Sequence, residues 1–424
     1  MRILSRVGVL FFYSGLVLSQ DYAIVGATVH TMGKQGSIED ATVLLKNGKI
    51  EAVHSGKVAV DGYTVINAQG KVVTPGLIGA KTQSGLVDVG FSAGTNDSSG
   101  EMLAFSTTGA AYDVAYAINP DSSLFGISRV AGITSAASSM SDTHQLFAGQ
   151  GAFISLGDDA KPLLKSQAFI NVQVGNAGAD ENGGSRAVLW ANLEAIITEA
   201  KYAKGKSLTP SDEWHGEMSK ADVKAMLPVV QGVVPLLIDA RRKADIMQVI
   251  AFKQRHPTIQ VVLLYATEGW RVANEIAASG ISVILDPEVN LPYEFDQLAA
   301  TLSNAGRLNQ AGVNVAIGME THNIRLSRQH AGNAVANGLP WDKGLAALTI
   351  NVAKIYGVES VVGSLESGKQ ADLVIWSGDP LEITQSAEQV FIKGKKIAME
   401  SRQTKLRDRY LNLQTDKPLQ YTRP

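Results

Sequence analysis

Short apolar runs alternate with amphipathic segments from about residue 76 to about residue 358. The apolar runs are rich in Val, Ile and Leu, and they include VVPLLIDA, IQVVLLYA, GISVILDP and GVNVAIGM. The segments between them, such as ADIMQVIAFKQRH and EFDQLAATLSNAG, carry apolar residues at helical spacing. Continuously apolar strands that alternate with helices predict a parallel sheet covered on both faces. The length and regularity favour a (β/α)8 barrel over an open doubly wound sheet, although spacing by itself leaves both open.

Both ends of the chain are rich in short strands instead. In ATVLLKNGKIEAV, near the N-terminus, Asn47-Gly48 stands between apolar flanks, which is typical of a tight hairpin. Near the C-terminus, ADLVIWSGDP and QVFIKGKKIAM repeat this pattern, and Lys393-Gly394 is similar to the earlier turn. The two strand-rich ends could therefore pair into one small β-sandwich beside the barrel.

The first residues have the order of a secretory signal peptide. Two basic residues, Arg2 and Arg6, precede an apolar run over residues 7–18 that is short for a membrane-spanning helix. Ser19 then supplies a small residue for cleavage; a buried strand or an uncleaved anchor is the alternative. We expect residues 1–19 to be removed and the protein to be exported, to the periplasm or outside the cell, without a membrane attachment.

Composition excludes several classes of function. The net charge is −2 and no long basic run occurs, so nothing favours binding to nucleic acid or to an anionic membrane. The chain has no cysteine, which excludes disulfides, thiolate catalysis and Fe–S clusters. No His-x-His or His-x-x-x-His pattern occurs, so a conventional transition-metal cluster has no support.

Several segments resemble the amidohydrolase superfamily, and in particular exported relatives of imidazolonepropionase. NGKIEAV, VVTPGLI and NGLPWDKGLAALTINVAKIYGV follow the family's order, and VGSLESGKQADLVIWSGDPL is similar to its GsLepGKdADlvv signature. The resemblance implies a TIM-type (β/α)8 barrel over residues 76–358. It also implies a small β-sandwich domain built from both chain ends, residues 20–75 and 359–424. The family hydrolyses peptide or non-peptide C–N bonds, and zinc is its usual cofactor.

The resemblance also locates the family's metal-ligand positions, and other residues occupy them here. The His-x-His pair after the first barrel strand corresponds to Lys81 and Gln83. A further ligand histidine corresponds to Asp239, and Tyr265 stands where some relatives carry another. The aspartate that serves as ligand and general base corresponds to Glu320, which is one methylene longer. No residue of the fourth barrel strand can be matched.

These substitutions leave three functions open. The chain could be an active C–N hydrolase with an atypical site of Lys81, Asp239 and Glu320, which are the candidate catalytic residues. It could instead be a metal-free binding protein, or it could supply an interface to a catalytic sibling chain. Because three histidines are replaced at once, we expect a non-catalytic binding or partner protein without a cofactor. It would bind a small molecule or a peptide through candidates Gln83, Tyr265 and His322, and form homo-oligomers or hetero-oligomers.

The first and eighth strands of a closed barrel are neighbours, so Lys81 and Glu320 should approach each other across its mouth. A buried carboxylate without a partner is costly, and one ammonium can replace the positive charge of a metal. We therefore predict a Lys81–Glu320 ion pair, with Asp239 as a second acceptor. In the alternative, Lys81 points into solvent and binds an anionic ligand.

Overall fold

The computed structural model describes residues 20–88, 96–100, 104–158, 161–209, 211–289, 291–319 and 323–411. The expected signal peptide, Glu320 and His322 lie outside these ranges. Within them, no helix combines the length and apolar character needed to cross a membrane.

The described strands form two eight-stranded sheets, and along the chain helices alternate with many of the strands. The strands are β1 (Tyr22–His30), β2 (Ser37–Lys46), β3 (Lys49–Ser55), β4 (Thr64–Asn67), β5 (Val72–Pro75), β6 (Leu77–Thr82), β7 (Ile133–Ser138), β8 (Phe147–Ser155), β9 (Leu163–Gln173), β10 (Leu236–Ala240), β11 (Val261–Tyr265), β12 (Ser282–Leu285), β13 (Val315–Ile317), β14 (Leu373–Trp376), β15 (Ala387–Ile392) and β16 (Lys395–Lys396). The helices are α1 (Ser123–Arg129), α2 (Asn176–Glu181), α3 (Arg186–Tyr202), α4 (Lys220–Val230), α5 (Lys243–Arg255), α6 (Ala273–Ser279), α7 (Asn304–Gln310), α8 (Ser327–Ala336), α9 (Trp341–Ala347), α10 (Ile350–Ile355) and α11 (Arg402–Leu411).

Strands β6 to β13 form the barrel in chain order, which confirms the expected fold class. The sheet closes where Lys81, on the first barrel strand, pairs in parallel with Met319 just after the last one. The barrel interior is filled by apolar side chains that include Ile78, Phe169 and Leu237. A larger apolar cluster fills the space between the strands and the surrounding helices. The barrel is therefore a packed core, and a ligand can enter only at its ends.

One strand departs from the all-parallel sheet that the sequence predicts. Strand β8 runs antiparallel to both β7 and β9, whereas the other neighbouring pairs are parallel. The connections on either side of β8, residues 139–146 and 156–162, are short, and their described residues contain no helix. A parallel crossover needs about a dozen residues or more, so these short connections require the chain to reverse direction at each end of β8.

The second sheet joins both chain ends, as the sequence predicts for the β-sandwich. Its order is β16-β15-β14-β5-β1-β2-β3, and β4 pairs with β1. Strand β14, from the C-terminal part, lies between β5 and β15 and pairs antiparallel with both. The sheet has its own core, in which Ile24 and Val43 lie together with Leu373 and Phe391. Neither end of the chain can complete this core without the other.

Two similar hairpins meet at this sheet. Asn47 and Gly48 both have positive φ, 52° and 78°, as do Lys393 and Gly394, at 52° and 72°. Two consecutive positive φ values are the backbone that a tight two-residue hairpin requires. The turns also touch: a Cβ on Gly394 would lie 2.7 Å from the Cα of Gly48. Glycine is thus needed there for close approach as well as for its φ angle.

A chain that ends at Gly357 is expected to aggregate, because it lacks β14 to β16. The loss exposes the edge of β5 and apolar side chains such as Ile24 and Val43, whose core also contains Leu373 and Phe391. The soluble yield and the sharpness of urea unfolding measure the effect. A chain that ends at Ser401 is the control: of the described residues it lacks only α11, which has no buried residue, and it should remain soluble. A soluble, cooperatively unfolding chain ending at Gly357 would contradict the prediction.

Candidate functional site

A cavity of about 170 Å³ lies at the carboxyl ends of the barrel strands, and we call it the mouth cavity. Four of the six candidate residues line it: Lys81, Gln83, Asp239 and Tyr265. The other two, Glu320 and His322, belong to the segment outside the described residues. The remaining lining residues are Thr82, Met140, Ser141, Ala148, Asn171, Val172, Gln173, Arg241, Leu264 and Met319.

An irregularity in β6 directs Lys81 into the mouth cavity. The backbone N–H groups of Ala80 and Lys81 both donate to the carbonyl oxygen of Gly318, at 2.9 and 3.0 Å. Two residues on one strand therefore face one on the other, as in a β-bulge, which changes the direction of the following side chains. Gly318 has φ +121°, and a Cβ there would lie 3.1 Å from the Ala80 nitrogen. This closing contact of the barrel therefore depends on a glycine.

Strand β9 contributes two amides to the site that the sequence analysis did not identify. In the parallel ladder, Asn171 pairs with Leu237 and Gln173 pairs with Asp239. Side chains alternate along a strand, so Asn171 and Gln173 share the inward face with the core residue Phe169. Alternating polar residues in FINVQ, an otherwise apolar strand, were the signal available in the sequence.

Asn171 lies deeper in the mouth cavity than Gln173. Its side chain is 4% exposed, and neither its amide nitrogen nor its amide oxygen has a hydrogen-bond partner among the described residues. Gln173, nearer the opening, donates a long hydrogen bond of 3.5 Å to the carbonyl oxygen of Ser141. A buried amide without partners is uncommon in folded proteins and indicates a group that a ligand or water satisfies.

Asp239 is paired with Arg241, which the sequence analysis also missed. The guanidinium donates from Nε to Oδ1 at 3.2 Å and from Nη2 to Oδ2 at 3.3 Å. It also lies over the ring of Tyr265, 4.1 Å from the ring centroid, in a cation–π contact. The sequence analysis expected Asp239 to be a second acceptor for Lys81. Lys81 and Asp239 form no ion pair within 4.0 Å. Arg241, which follows Asp239 by two residues, donates to both oxygens of its carboxylate instead.

The backbone beneath this pair is strained. Tyr265 has φ +64° and the next residue, Ala266, has φ +41°, although neither is glycine. Such conformations cost on the order of 1–3 kcal/mol each and are found mainly where surrounding contacts hold them. The strain occurs where β11 ends and positions the Tyr265 ring under Arg241. It is consistent with a functional role for this end of the barrel.

Burial dominates the electrostatics of the mouth cavity. It lowers the pKa of the Lys81 ammonium from its ordinary value, while Asp239 opposes this change and Arg241 adds to it. Burial also raises the pKa of Asp239, against the opposing effect of Arg241 and Lys81. Because a guanidinium stays protonated and donates two hydrogen bonds here, we assign the Asp239–Arg241 pair as charged at neutral pH.

The described residues of the mouth cavity do not fit zinc. A charged lysine has only N–H donors, so Lys81 cannot be a ligand in that form. Gln83 offers one neutral carbonyl oxygen, whereas protein zinc sites use imidazole, thiolate or carboxylate ligands. Asp239 is the one carboxylate among the described lining residues, and both of its oxygens accept hydrogen bonds from Arg241. The guanidinium would also repel a metal cation.

Another group of described residues has the composition of a cation site, but it lies at the surface. Ligand atoms of Asp142, His144 and Glu181 all lie within 4.8 Å of one another. His144 and Glu181 are exposed. Exposed acidic groups of this kind are common without a metal, and the group is separate from the lining of the mouth cavity.

The barrel, its mouth cavity and the sheet from both chain ends define a TIM-barrel protein with a second β-sheet domain, and comparison shows which family part of the chain resembles. Residues 238–397 match the sequence model of the amidohydrolase family. This part of the chain is therefore similar in sequence to the amidohydrolase family, and membership of the superfamily belongs to the proposal below. The imidazolonepropionase-related subgroup stays a prediction.

Curated relatives match only in part. A segment of 73 residues is 34% identical to an amidohydrolase of Hapsidospora irregularis, over 16% of this chain and 7% of that protein. A segment of 122 residues is 34% identical to a 5-methylthioadenosine/S-adenosylhomocysteine deaminase of Teredinibacter turnerae, over 26% of each chain. The matched segments thus span about a quarter or less of these relatives.

Solved structures match over most of the chain. An amidohydrolase from Thermotoga maritima superposes with a TM-score of 0.78 at 23% identity, over 89% of this chain and 99% of that one. An adenosine deaminase from Xanthomonas campestris with bound zinc gives 0.51 at 17% identity, over 89% and 92%. At these identities the similarity shows the fold alone.

Proposed function

We propose that the chain is a metal-independent ligand-binding protein on an amidohydrolase barrel, without hydrolytic turnover. The observation that supports this most directly is the bidentate pair of Arg241 with Asp239. The carboxylate that stands at a family ligand position is neutralised by this guanidinium, which also repels a second cation at the same place. Lys81 and Gln83 do not compensate, since one is a donor and the other a neutral amide. Export and association with a catalytic sibling remain parts of the proposal.

Zinc content tests this function. Protein produced in zinc-supplemented medium and then dialysed should carry well below one zinc per chain, because the described lining of the mouth cavity offers no imidazole, no thiolate and no carboxylate other than the paired Asp239. Elemental analysis gives the ratio, and Glu181→Gln removes any contribution from the surface group of Asp142, His144 and Glu181. Stoichiometric zinc that persists in Glu181→Gln and disappears in Asp239→Asn would contradict the proposal.

A second candidate is an active C–N hydrolase in which Lys81 acts as a general base. One observation favours it: burial lowers the pKa of Lys81, which is the direction that a lysine general base requires. Dipeptides and N-acyl amino acids, assayed with the wild type and with Lys81→Met, separate the two functions. Turnover by the wild type that is lost in Lys81→Met, with folding retained, would favour the hydrolase.

A further inference from the structure

We propose that residues 291–298, which lie between β12 and α7, form the surface through which two copies of this chain associate. We call them the apolar segment, because they include four large apolar side chains that are exposed: Leu291, Tyr293, Phe295 and Leu298. None of these eight residues lines the mouth cavity, so the inference does not depend on the proposed function.

The apolar segment reverses the usual pattern of burial. Its four large apolar side chains are 62–88% exposed, whereas the polar residues Asp296 and Gln297 are only 7% and 4% exposed. Single exposed apolar residues are normal on a protein surface, but several together in one short segment are not. Aromatic side chains in particular are enriched where proteins contact each other. The apolar segment therefore has the composition of an interface.

Contacts on its buried side hold the apolar segment in place. The Asp296 carboxylate accepts hydrogen bonds from Nη2 of Arg186 at 2.7 Å and from the backbone N–H of Asn176 at 3.0 Å. Just after the segment, the indole N–H of Trp270 donates to the carbonyl oxygen of Ala299 at 2.8 Å. A surface that is already held in place loses little conformational freedom on binding, which favours association.

The area of the apolar segment fits a contact between two copies. An aromatic side chain can bury about 150–250 Å², so the four exposed side chains offer roughly 500 Å² on each copy. A patch of this size is among the largest that monomeric proteins expose. Two such patches facing each other bury about 1,000 Å², which is the size at which a specific interface begins.

The composition of the apolar segment favours a second copy as the partner. Apolar side chains are complementary to themselves, so one patch can meet its own copy across a two-fold axis, whereas a charged patch would repel its copy. Glu294 is the one exposed charged residue of the segment. We place it at the solvated rim of the contact, where interface charges are usually found.

Sedimentation velocity of the full chain at a series of concentrations tests this inference. We expect a monomer–dimer equilibrium. Tyr293→Ser combined with Phe295→Ser should raise the dimer dissociation constant about 100-fold or more, because buried aromatic residues are typical hot spots. Both side chains are exposed in the single chain, so the midpoint of urea unfolding should not change. Tyr202→Ser is the control: Tyr202 is 68% exposed on α3 and should not affect the equilibrium.

Cross-linking provides a second measurement, because the sequence contains no cysteine and one introduced thiol is unique. Residues with the same number approach each other near a two-fold axis. Leu291→Cys and Leu298→Cys probe the two ends of the apolar segment, and leucine is seldom a hot spot, so each variant should still dimerise. We expect a short bis-maleimide to link at least one of them into a covalent dimer and to leave Tyr202→Cys monomeric.

Three outcomes would overturn the inference. A wild type that remains monomeric at every concentration would mean that a different protein, or another part of this chain, covers the apolar segment. A double variant that dimerises as strongly as the wild type would assign the dimer to another surface. Cross-linking of Tyr202→Cys to the same extent as both leucine variants would show that the reaction reports random collisions.

Discussion

Replacing Asp222 by alanine is expected to destabilise the protein by at least about 4 kcal/mol. The carboxylate lies on α4, is fully buried, and joins this helix to the loop over residues 106–111. It accepts hydrogen bonds from the Ser106 hydroxyl at 2.7 Å, from the backbone N–H groups of Thr107, Thr108 and Ala111 at 2.7, 3.1 and 2.9 Å, and from the Ser219 hydroxyl at 3.0 Å.

The size of this effect follows from the number of donors that lose a partner. Each buried donor without an acceptor costs about 1–3 kcal/mol, and Asp222→Ala creates several together. Asp222→Asn should be nearly as harmful, because Oδ1 and Oδ2 each accept from a backbone N–H. The amide NH2 would then face a donor at one of the two positions.

Urea unfolding of the variants measures the effect. Asp212→Ala is a matched control, because Asp212 also accepts hydrogen bonds from neighbouring hydroxyls, those of Ser207 and Thr209, but in a polar surface segment. Its change should be much smaller, since water replaces the lost partners. Similar unfolding midpoints for Asp222→Ala and Asp212→Ala would contradict the importance assigned to burial.

Replacing Arg186 by methionine is expected to cost about 3–5 kcal/mol, the usual effect of removing one partner from a buried ion pair. Arg186 begins α3 and donates from Nε to Asp245 at 3.0 Å and from Nη2 to Asp296 at 2.7 Å. The two carboxylate side chains are only 3% and 9% exposed. One guanidinium therefore joins three parts of the barrel wall, and its loss leaves two buried charges with fewer partners.

The geometry distinguishes this prediction from a simple loss of charge. Arg186→Lys should remain clearly destabilised, because an ammonium cannot reproduce the planar fork that reaches both acids. Arg186→Met combined with Asp296→Asn should recover part of the loss, since Asp245 keeps a hydrogen bond from Arg242 at 2.9 Å.

Arg255→Met is the control: this arginine pairs with Glu194 at a partly exposed site, where such pairs contribute about 0–1 kcal/mol. Equal effects at Arg186 and Arg255 would refute the argument.

The candidate site was predictable in part. The end of β6 and the end of β10 could be located from sequence, and Lys81, Gln83, Asp239 and Tyr265 do line one cavity. Arg241 was missed although it follows Asp239 by two residues, because the sequence does not show that its guanidinium turns back to the carboxylate. Asn171 was missed because the role of a polar residue in an apolar strand depends on the side chains that surround it in the folded structure.

The sequence by itself determined the features that depend on neighbouring residues and on periodicity. The Asn47-Gly48 hairpin follows from local backbone preferences, and the alternation of strands and helices follows from which faces must be buried. The tertiary structure alone decided three further features: the reversed direction of β8, the pairing of Asp239 with Arg241 rather than Lys81, and the isolation of the Asn171 amide. The direction of β8 follows from the length of its connections, whereas the other two features depend on how the closed sheet places side chains from different strands around the mouth cavity.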